Sequence, residues 1–254
     1  GFLVVFAALG SGDMALSSVI KSLSVLILLL GAVAWYTLED TVDSPESAGQ
    51  KPKIGLQDIM RVLRMPVIWL ISTVIFTGYC AYWGTFRFTS YSTDIFMLSV
   101  TVGALISVGK MWLKPLVALA AGFAADKFGI ARSVACLFAV LVASFLIFSI
   151  LPGGPKMIPA MLANVALASF AVFAIRGIYF ALLEEGGIPI AVTGTAAGIV
   201  SAVGFTPDIF MPLLGGVLLD TFPGVPGYRY FFLTVAAICA IGLCASLWIY
   251  FKYV

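Results

Sequence analysis

Histidine is absent from this 254-residue sequence, and only 10% of the residues are charged. The absence of histidine excludes Ser-His-Asp triads, the commonest general base and most zinc sites. No motif brings a nucleophile, a base and an orienting group together, so we expect neither an enzyme, nor a bound cofactor, nor a metal site. The four cysteines lie in apolar runs without the spacing of metal or disulfide sites, and we interpret them as packing residues: Cys80, Cys136, Cys239 and Cys244.

Basic tracts are also missing, and a formal net charge of +2 gives no reason to expect a nucleic-acid partner. Hydrophobic residues make up 62% of the chain, which predicts that most of its surface faces lipid. The sequence therefore predicts a polytopic membrane protein, all-α in fold class, whose surroundings are the lipid bilayer.

The sequence starts with Gly1 and a short apolar stretch over residues 1–10. At 1.5 Å per helical residue this stretch is about half as long as a bilayer requires. We therefore expect the chain to begin inside a helix and to be a piece of a longer protein.

Seven apolar runs are long enough to cross a hydrocarbon layer of about 30 Å. Backbone polar groups cannot stay unpaired in lipid, so each run is predicted to be a helix. A polar, Pro-containing segment at 39–53 predicts a solvated linker, and the alternation of apolar and charged residues at 54–64 predicts a surface helix. The predicted domains are 1–38, 39–65 and 66–254, and the predicted spans are 16–38, 66–88, 96–121, 131–151, 157–183, 188–219 and 228–250.

Lysine and arginine are distributed unequally between the two ends of these spans. The excess lies on the side that holds the linker, the connection near residue 127 and the C-terminus. Because cytoplasmic loops carry more Lys and Arg, we predict that this side, including the C-terminus, faces the cytoplasm.

A shift of 94 residues aligns two G-x-x-x-D-x-F segments, which begin at Gly122 and Gly216. The same shift pairs Lys114 with Asp208. Three predicted spans separate the copies, so the second copy would be upside down in the bilayer. Inverted repeats are typical of secondary transporters, in which the binding site lies near the midplane.

Residues 122–132, GFAADKFGIAR, resemble the second copy of the cytoplasmic motif of the major facilitator superfamily. Two later runs, EEGGIPIAVTGTAAGIVSAVGFTPD and PGVPGYRYFF, are similar to a bacterial inner-membrane branch near the sugar-acid and organophosphate porters. The resemblance covers nearly the whole chain. It implies a C-terminal six-helix domain of two inverted three-helix repeats at 66–254. It also implies a remnant of the N-terminal domain at 1–38, with helices 1–5 as the missing partner.

In that superfamily the motif supports conformational switching, and the resemblance assigns the same role to this segment. Glycines permit a tight turn, and Asp126 can accept hydrogen bonds from backbone N–H groups at a nearby helix start. We therefore expect a short loop here. The predicted switch residues are Gly122, Asp126, Lys127, Gly129 and Arg132.

Lys110 and Lys114 lie inside a predicted span, where a lysine costs about 2.5–3.5 kcal/mol on insertion scales. They share one helical stripe with Gly103 and Ser107, which favours an anion site with Lys110 as the central contact. Alternatively, Lys110 pairs with an internal acid, or Lys114 extends to the interface.

Asp208 lies between two prolines in a glycine-containing span, an environment suited to a gate or a proton-binding carboxylate. Its alternatives are a cap on a helix break or a place in the outer vestibule. Arg176 is suited to binding an anion with two hydrogen bonds, although it could also reach the interface or meet Glu184 or Glu185.

Four aromatic residues crowd one half of the span that opens at Pro66. They are interpreted as lining a solute cavity, and an interfacial aromatic belt explains two of them, Trp83 and Phe86, about as well. The others are Tyr79 and Tyr82.

These patterns predict a secondary active transporter that moves a small organic anion by alternating access, coupled to a proton or sodium ion. Tyr79, Tyr82, Ser107, Lys110 and Arg176 are the predicted substrate contacts, and Lys114 and Asp208 the predicted coupling or gating residues. An exporter of amphipathic or cationic compounds is the first alternative. A membrane fragment or scaffold without transport activity is the second.

Overall fold

A computed structural model describes residues 12–37 and 56–253 of the chain. The described residues form helices joined by short connections and contain no strand. Seven helical segments in this part of the chain are long and apolar enough to cross a membrane, which confirms the predicted spans. The half helix predicted at 1–10 and the linker predicted at 39–53 lie outside the described residues.

The chain divides into two compact units, Gly1–Lys53 and Ile54–Val254. The first contains α1 (Gly12–Thr37), an apolar helix whose membrane-length window holds no buried side chain. The helices of the second unit are α2 (Leu56–Leu63), α3 (Pro66–Gly84), α4 (Phe88–Asp94), α5 (Val100–Phe128), α6 (Ile130–Ile150), α7 (Ile158–Ile178), α8 (Leu182–Glu185), α9 (Ile190–Gly204), α10 (Pro207–Thr221) and α11 (Val225–Tyr253).

Three of the seven spans are built from two helices each. Short 3-10 turns at Thr85–Arg87 and Tyr179–Ala181 join α3 to α4 and α7 to α8. The third break separates α9 from α10, where Gly204 ends one helix and Pro207 begins the next. Proline at the first helical position lacks only an N–H that would be unpaired there anyway, so the break lies where the sequence tolerates it.

The core of the second unit lies where α11 packs against α6 and α3. Aromatic rings fill it, with centroid separations of 4.8 Å between Phe88 and Phe148, 5.0 Å between Phe148 and Phe232, and 5.1 Å between Tyr91 and Phe232. In lipid, helix association depends on close packing and on hydrogen bonds between helices. Ser144 of α6 and Asn164 of α7 supply such hydrogen bonds, at 2.6 and 2.9 Å.

Gly242 allows α11 to approach its neighbours closely. A Cβ atom built at this position would lie 2.5 Å from the nearest ring atom of Phe138 and would also collide with the hydroxyl of Thr77. Gly242→Ala is therefore expected to lower the unfolding free energy by about 1–3 kcal/mol, the usual cost of overpacking. Gly198→Ala is the matched control, because a Cβ there meets nothing within 4 Å. Thermal unfolding in detergent checks the pair, and equal midpoints would contradict the packing described here.

The prediction of a short loop at the motif is wrong. Helix α5 continues through the motif to Phe128, and only Gly129 separates it from α6. Several alanines favour continued helix, and Gly129 then ends it with a φ of +88°, a conformation that glycine adopts without strain. Residues 122–128 of the motif therefore form the last two turns of a long helix, and residues 130–132 begin α6.

Candidate functional site

A cluster of aromatic and charged side chains lies where α3 faces α7 and α10. Tyr79 and Tyr82 of α3 are three residues apart, so they lie on the same side of the helix, and their ring centroids are 5.6 Å apart. Phe205, in the break between α9 and α10, packs on Tyr79 at 5.0 Å. The rings of Tyr79, Tyr82 and Phe205 are half-buried, so the cluster lies on an open side of the six-span unit.

Asp208 joins the cluster from the first turn of α10. The hydroxyl of Tyr79 donates to its Oδ2 at 3.2 Å, and Nε1 of Trp83 donates to its Oδ1 at 2.8 Å. Its place at a helix N-terminus also favours a negative charge. The side chain is exposed, so it is open to an ion or a solute that reaches this face.

Arg176 of α7 completes the cluster. Its guanidinium carbon lies 4.1 Å from the ring centroid of Tyr82 and 4.9 Å from that of Tyr79, within the range of cation–π attraction. Its Nη1 atom is buried and has no hydrogen-bond partner among the described residues. The hydroxyl of Ser169 shares this property, two turns earlier on the same face of α7. A buried guanidinium nitrogen without an acceptor is costly, and an anionic ligand would supply the acceptor.

Lys110 is placed outside this cluster. Its side chain is only 5% exposed, and Nζ donates to the carbonyl oxygen of Thr85 at 2.7 Å and to the Thr85 hydroxyl at 3.2 Å. It also lies 5.0 Å from the ring centroid of Phe86. The Thr85 carbonyl oxygen also accepts the backbone N–H of Phe88 in the 3-10 turn, so the ammonium uses its second lone pair. The partial negative charge at the end of α3 favours a cation there. The ring of Phe86 connects Lys110 with the aromatic cluster, because its centroid lies 5.1 Å from that of Tyr82.

The predicted stripe on α5 divides between two environments. Gly103 and Lys110 are buried, and Ser107 is half-buried with its hydroxyl bonded to that of Thr89 on α4. Lys114 is exposed. The structure therefore brings Tyr79, Tyr82, Arg176 and Asp208 together. It places Ser107 and Lys110 against α4 and the end of α3, and it leaves Lys114 exposed on α5.

At the switch motif the main polar contact comes from a residue that the sequence analysis did not assign to it. The carboxylate of Glu185, on α8, accepts hydrogen bonds from the backbone N–H groups of Ile130 at 3.1 Å and Ala131 at 2.6 Å. Asp126, Lys127 and Arg132 are exposed. Glu185 thus caps the start of α6 and ties the end of one span to the start of another.

Thr85 and Glu185 are the residues that sequence reasoning missed. The Gly84-Thr85 pair is a weak signal of a helix break, and nothing in the sequence connects it with Lys110. Glu185 carries a clearer signal, because an acid that ends one span lies level with the start of an adjacent antiparallel span. Neither contact follows from a local motif.

The helices, the buried polar contacts and the apolar exterior define a polytopic helical membrane protein that resides in a lipid bilayer.

No protein-family model matches the chain. Two relatives from Escherichia coli strain K12 are similar to it. It is 28% identical to inner membrane protein YqcE over 221 residues, which cover 84% of this chain and 52% of YqcE. It is 27% identical to inner membrane protein YihN over 251 residues, which cover 96% of this chain and 59% of YihN.

The chain therefore spans between about half and three fifths of the length of the curated relatives it matches. Both relatives are named as inner membrane proteins, in agreement with the inner-membrane location that the resemblance in the sequence implies. Neither name states a solute or an activity.

Proposed function

We propose that the protein is the C-terminal part of a secondary active transporter of the major facilitator type. It moves a small organic anion across the inner membrane by alternating access, together with a proton or sodium ion. The buried, unpartnered Nη1 of Arg176 is the observation that carries the proposal. Arginine is suited to this task because its planar guanidinium binds carboxylate or phosphate through two parallel hydrogen bonds.

The two tyrosines orient the guanidinium. Tyr82 and Tyr79 lie against it at 4.1 and 4.9 Å, which limits its rotation and leaves the edge with Nη1 free for an anion. A positioned donor loses less conformational entropy when the ligand binds. The Arg176 edge is therefore the proposed substrate contact, with Tyr79 and Tyr82 as its supports.

Asp208 supplies the proposed coupling. An anion bound at Arg176 would lie near the Asp208 carboxylate, since Tyr79 contacts both residues. Two negative charges at close range repel each other, so a proton or sodium ion at Asp208 favours binding of the anion. Linkage of this kind is reciprocal, and it makes the ion and the anion move together.

Two features support the repeat on which alternating access depends. The motif segment ends α5 at Phe128, and its counterpart 94 residues later ends α10 at Thr221. The spans that contain them are also the least buried of the second unit, because only 17% and 22% of their membrane-length windows are buried. We propose that helices 1–5 of the same protein cover these spans and complete the solute path.

Asp208→Asn tests the coupling step. The amide oxygen still accepts one hydrogen bond from Tyr79 or Trp83, but the charge is gone. We expect concentrative uptake to fall to the background level, while exchange of internal for external solute continues, because exchange does not require release of the coupling ion. Uptake and exchange are measured separately in membrane vesicles that contain the protein, so loss of coupling is distinguished from loss of transport. Unchanged accumulation by Asp208→Asn would remove Asp208 from the mechanism.

An exporter of amphipathic or cationic compounds is the second candidate. The exposed Asp208 carboxylate among Tyr79, Trp83 and Phe205 favours it, because aromatic rings and a carboxylate also bind organic cations. Vesicles offered labelled small carboxylates, phosphate esters and a lipophilic cation separate the candidates. Accumulation of an anion supports the first function, and movement of the cation alone supports the second.

A further inference from the structure

A groove with two cations opens between the end of α2, the start of α3 and the end of α11. Its volume is 410 Å³. The residues that give it its chemistry are Arg64, Trp69, Thr73, Trp248, Lys252 and Tyr253. It is separate from the Arg176 cluster and plays no part in the proposed transport step.

The charge of the groove has one sign. Arg64 and Lys252 are exposed, and the lining contains no acidic residue. The Lys252 ammonium lies 5.6 Å from the ring centroid of its neighbour Tyr253. Two cations beside one groove repel each other unless an anion lies between them, so the lining is complementary to a negatively charged group.

The walls of the groove are aromatic and apolar. Trp69 is 49% exposed and Trp248 is 59% exposed, although both are large hydrophobic side chains. The ring of Trp69 is held in place because its Nε1 donates to the carbonyl oxygen of Leu63 at 2.9 Å. Tryptophan is enriched at the level of lipid headgroups, where its ring meets hydrocarbon and its N–H meets polar groups.

Helix α2 places the groove at the membrane surface. Leu56 is 80% exposed and Met60 is 47% exposed, while Arg61 and Arg64 are exposed next to them. A short helix with exposed apolar and basic side chains is typical of one that lies in the headgroup region. The groove thus has hydrocarbon beside its walls and headgroups beside its cations.

We propose that this groove binds an anionic phospholipid. The lipid phosphate lies between Arg64 and Lys252, and one acyl chain lies along Trp69 and Trp248. Basic pockets between membrane helices are suited to anionic headgroups. A free phosphate ester would leave the apolar walls uncovered, and a zwitterionic lipid would bring its own cation towards the two that are present.

Lipid binding by the purified protein in detergent tests the proposal. Native mass spectrometry counts bound phosphatidylglycerol and phosphatidylcholine with identical acyl chains, and glycerol phosphate serves as a competitor. We expect phosphatidylglycerol to bind at least fivefold more tightly than phosphatidylcholine, and glycerol phosphate not to displace it. Equal affinity for the two lipids, or displacement by glycerol phosphate, would overturn the proposal without any variant being needed.

The variant Arg64→Gln/Lys252→Gln locates the site. It is expected to lose the preference for phosphatidylglycerol, while Lys156→Gln, which removes an exposed cation elsewhere, keeps it. A preference that survives the double substitution would show that the lipid binds elsewhere. A change from one oligomeric state to another without a change in lipid preference would show that a second copy covers the groove instead.

Discussion

Arg176→Met is expected to lower uptake of the anionic solute at least about 100-fold, because two charge-assisted hydrogen bonds worth about 1.5–3 kcal/mol each are lost. Methionine has a comparable length and packs well in apolar surroundings, so the variant should insert and fold. The loss therefore reports the missing guanidinium and not a damaged bundle. Initial uptake rates, normalised to the amount of protein in the membrane, measure it.

Two further variants make the result specific. Arg176→Lys keeps the charge but loses the planar pair of donors and their contact with Tyr82, so we expect activity between that of Arg176→Met and wild type. Lys156→Met removes an exposed cation outside the cluster and should leave uptake unchanged. Normal uptake by Arg176→Met would exclude this residue as the anion contact.

Glu185→Ala is expected to lower the unfolding free energy by about 2 kcal/mol, because two backbone N–H groups at the start of α6 lose a charged acceptor. The same contact joins α8 to α6, so its loss should also shift the balance between transport conformations. We expect a lower thermal unfolding midpoint together with an altered ratio of uptake to exchange. The first change reports the cap, and the second reports the switch.

Glu184→Ala is the matched control for this prediction. Glu184 adjoins Glu185 in sequence, but its side chain is exposed, and the carboxylate that caps α6 is that of Glu185. Substitution of Glu184 should change the unfolding free energy by less than about 0.5 kcal/mol, the usual effect at a surface position. Equal effects of the two substitutions would mean that total charge, and not the cap on α6, stabilises this end of the bundle.

The number and order of the spans could be predicted because lipid imposes them. An apolar run of sufficient length must be helical, and hydropathy alone reveals its length. The ends of helices are set by finer effects. Residues 122–128 contain a glycine and an aspartate, which suggest a turn, yet two alanines, Ala124 and Ala125, favour helix, and the helix continues until Gly129 adopts a positive φ. The positive φ of Gly129 therefore sets where α5 ends.

Part of the candidate site could also be predicted, since Tyr79, Tyr82, Arg176 and Asp208 each stand out as polar or aromatic residues within apolar runs. Their meeting depends on the packing of α3 against α7 and α10, which no local pattern encodes. Lys110 shows the opposite case. A lysine in an apolar span suggests a ligand, but here the ammonium donates to the carbonyl oxygen of Thr85, just after the end of α3. Backbone breaks in membrane helices create such partners, and sequence periodicity does not locate them.

Thiol labelling tests most directly whether the Arg176 cluster borders a watery solute path. In a variant without the native cysteines, Phe205→Cys places a thiol beside Tyr79, and Ala143→Cys places one on an exposed position of α6. We predict that a membrane-impermeant reagent labels Phe205→Cys, that the transported anion protects it, and that Ala143→Cys reacts only with a lipid-soluble reagent. Labelling of Phe205→Cys by the lipid-soluble reagent alone would contradict the account, because the cluster would then face hydrocarbon.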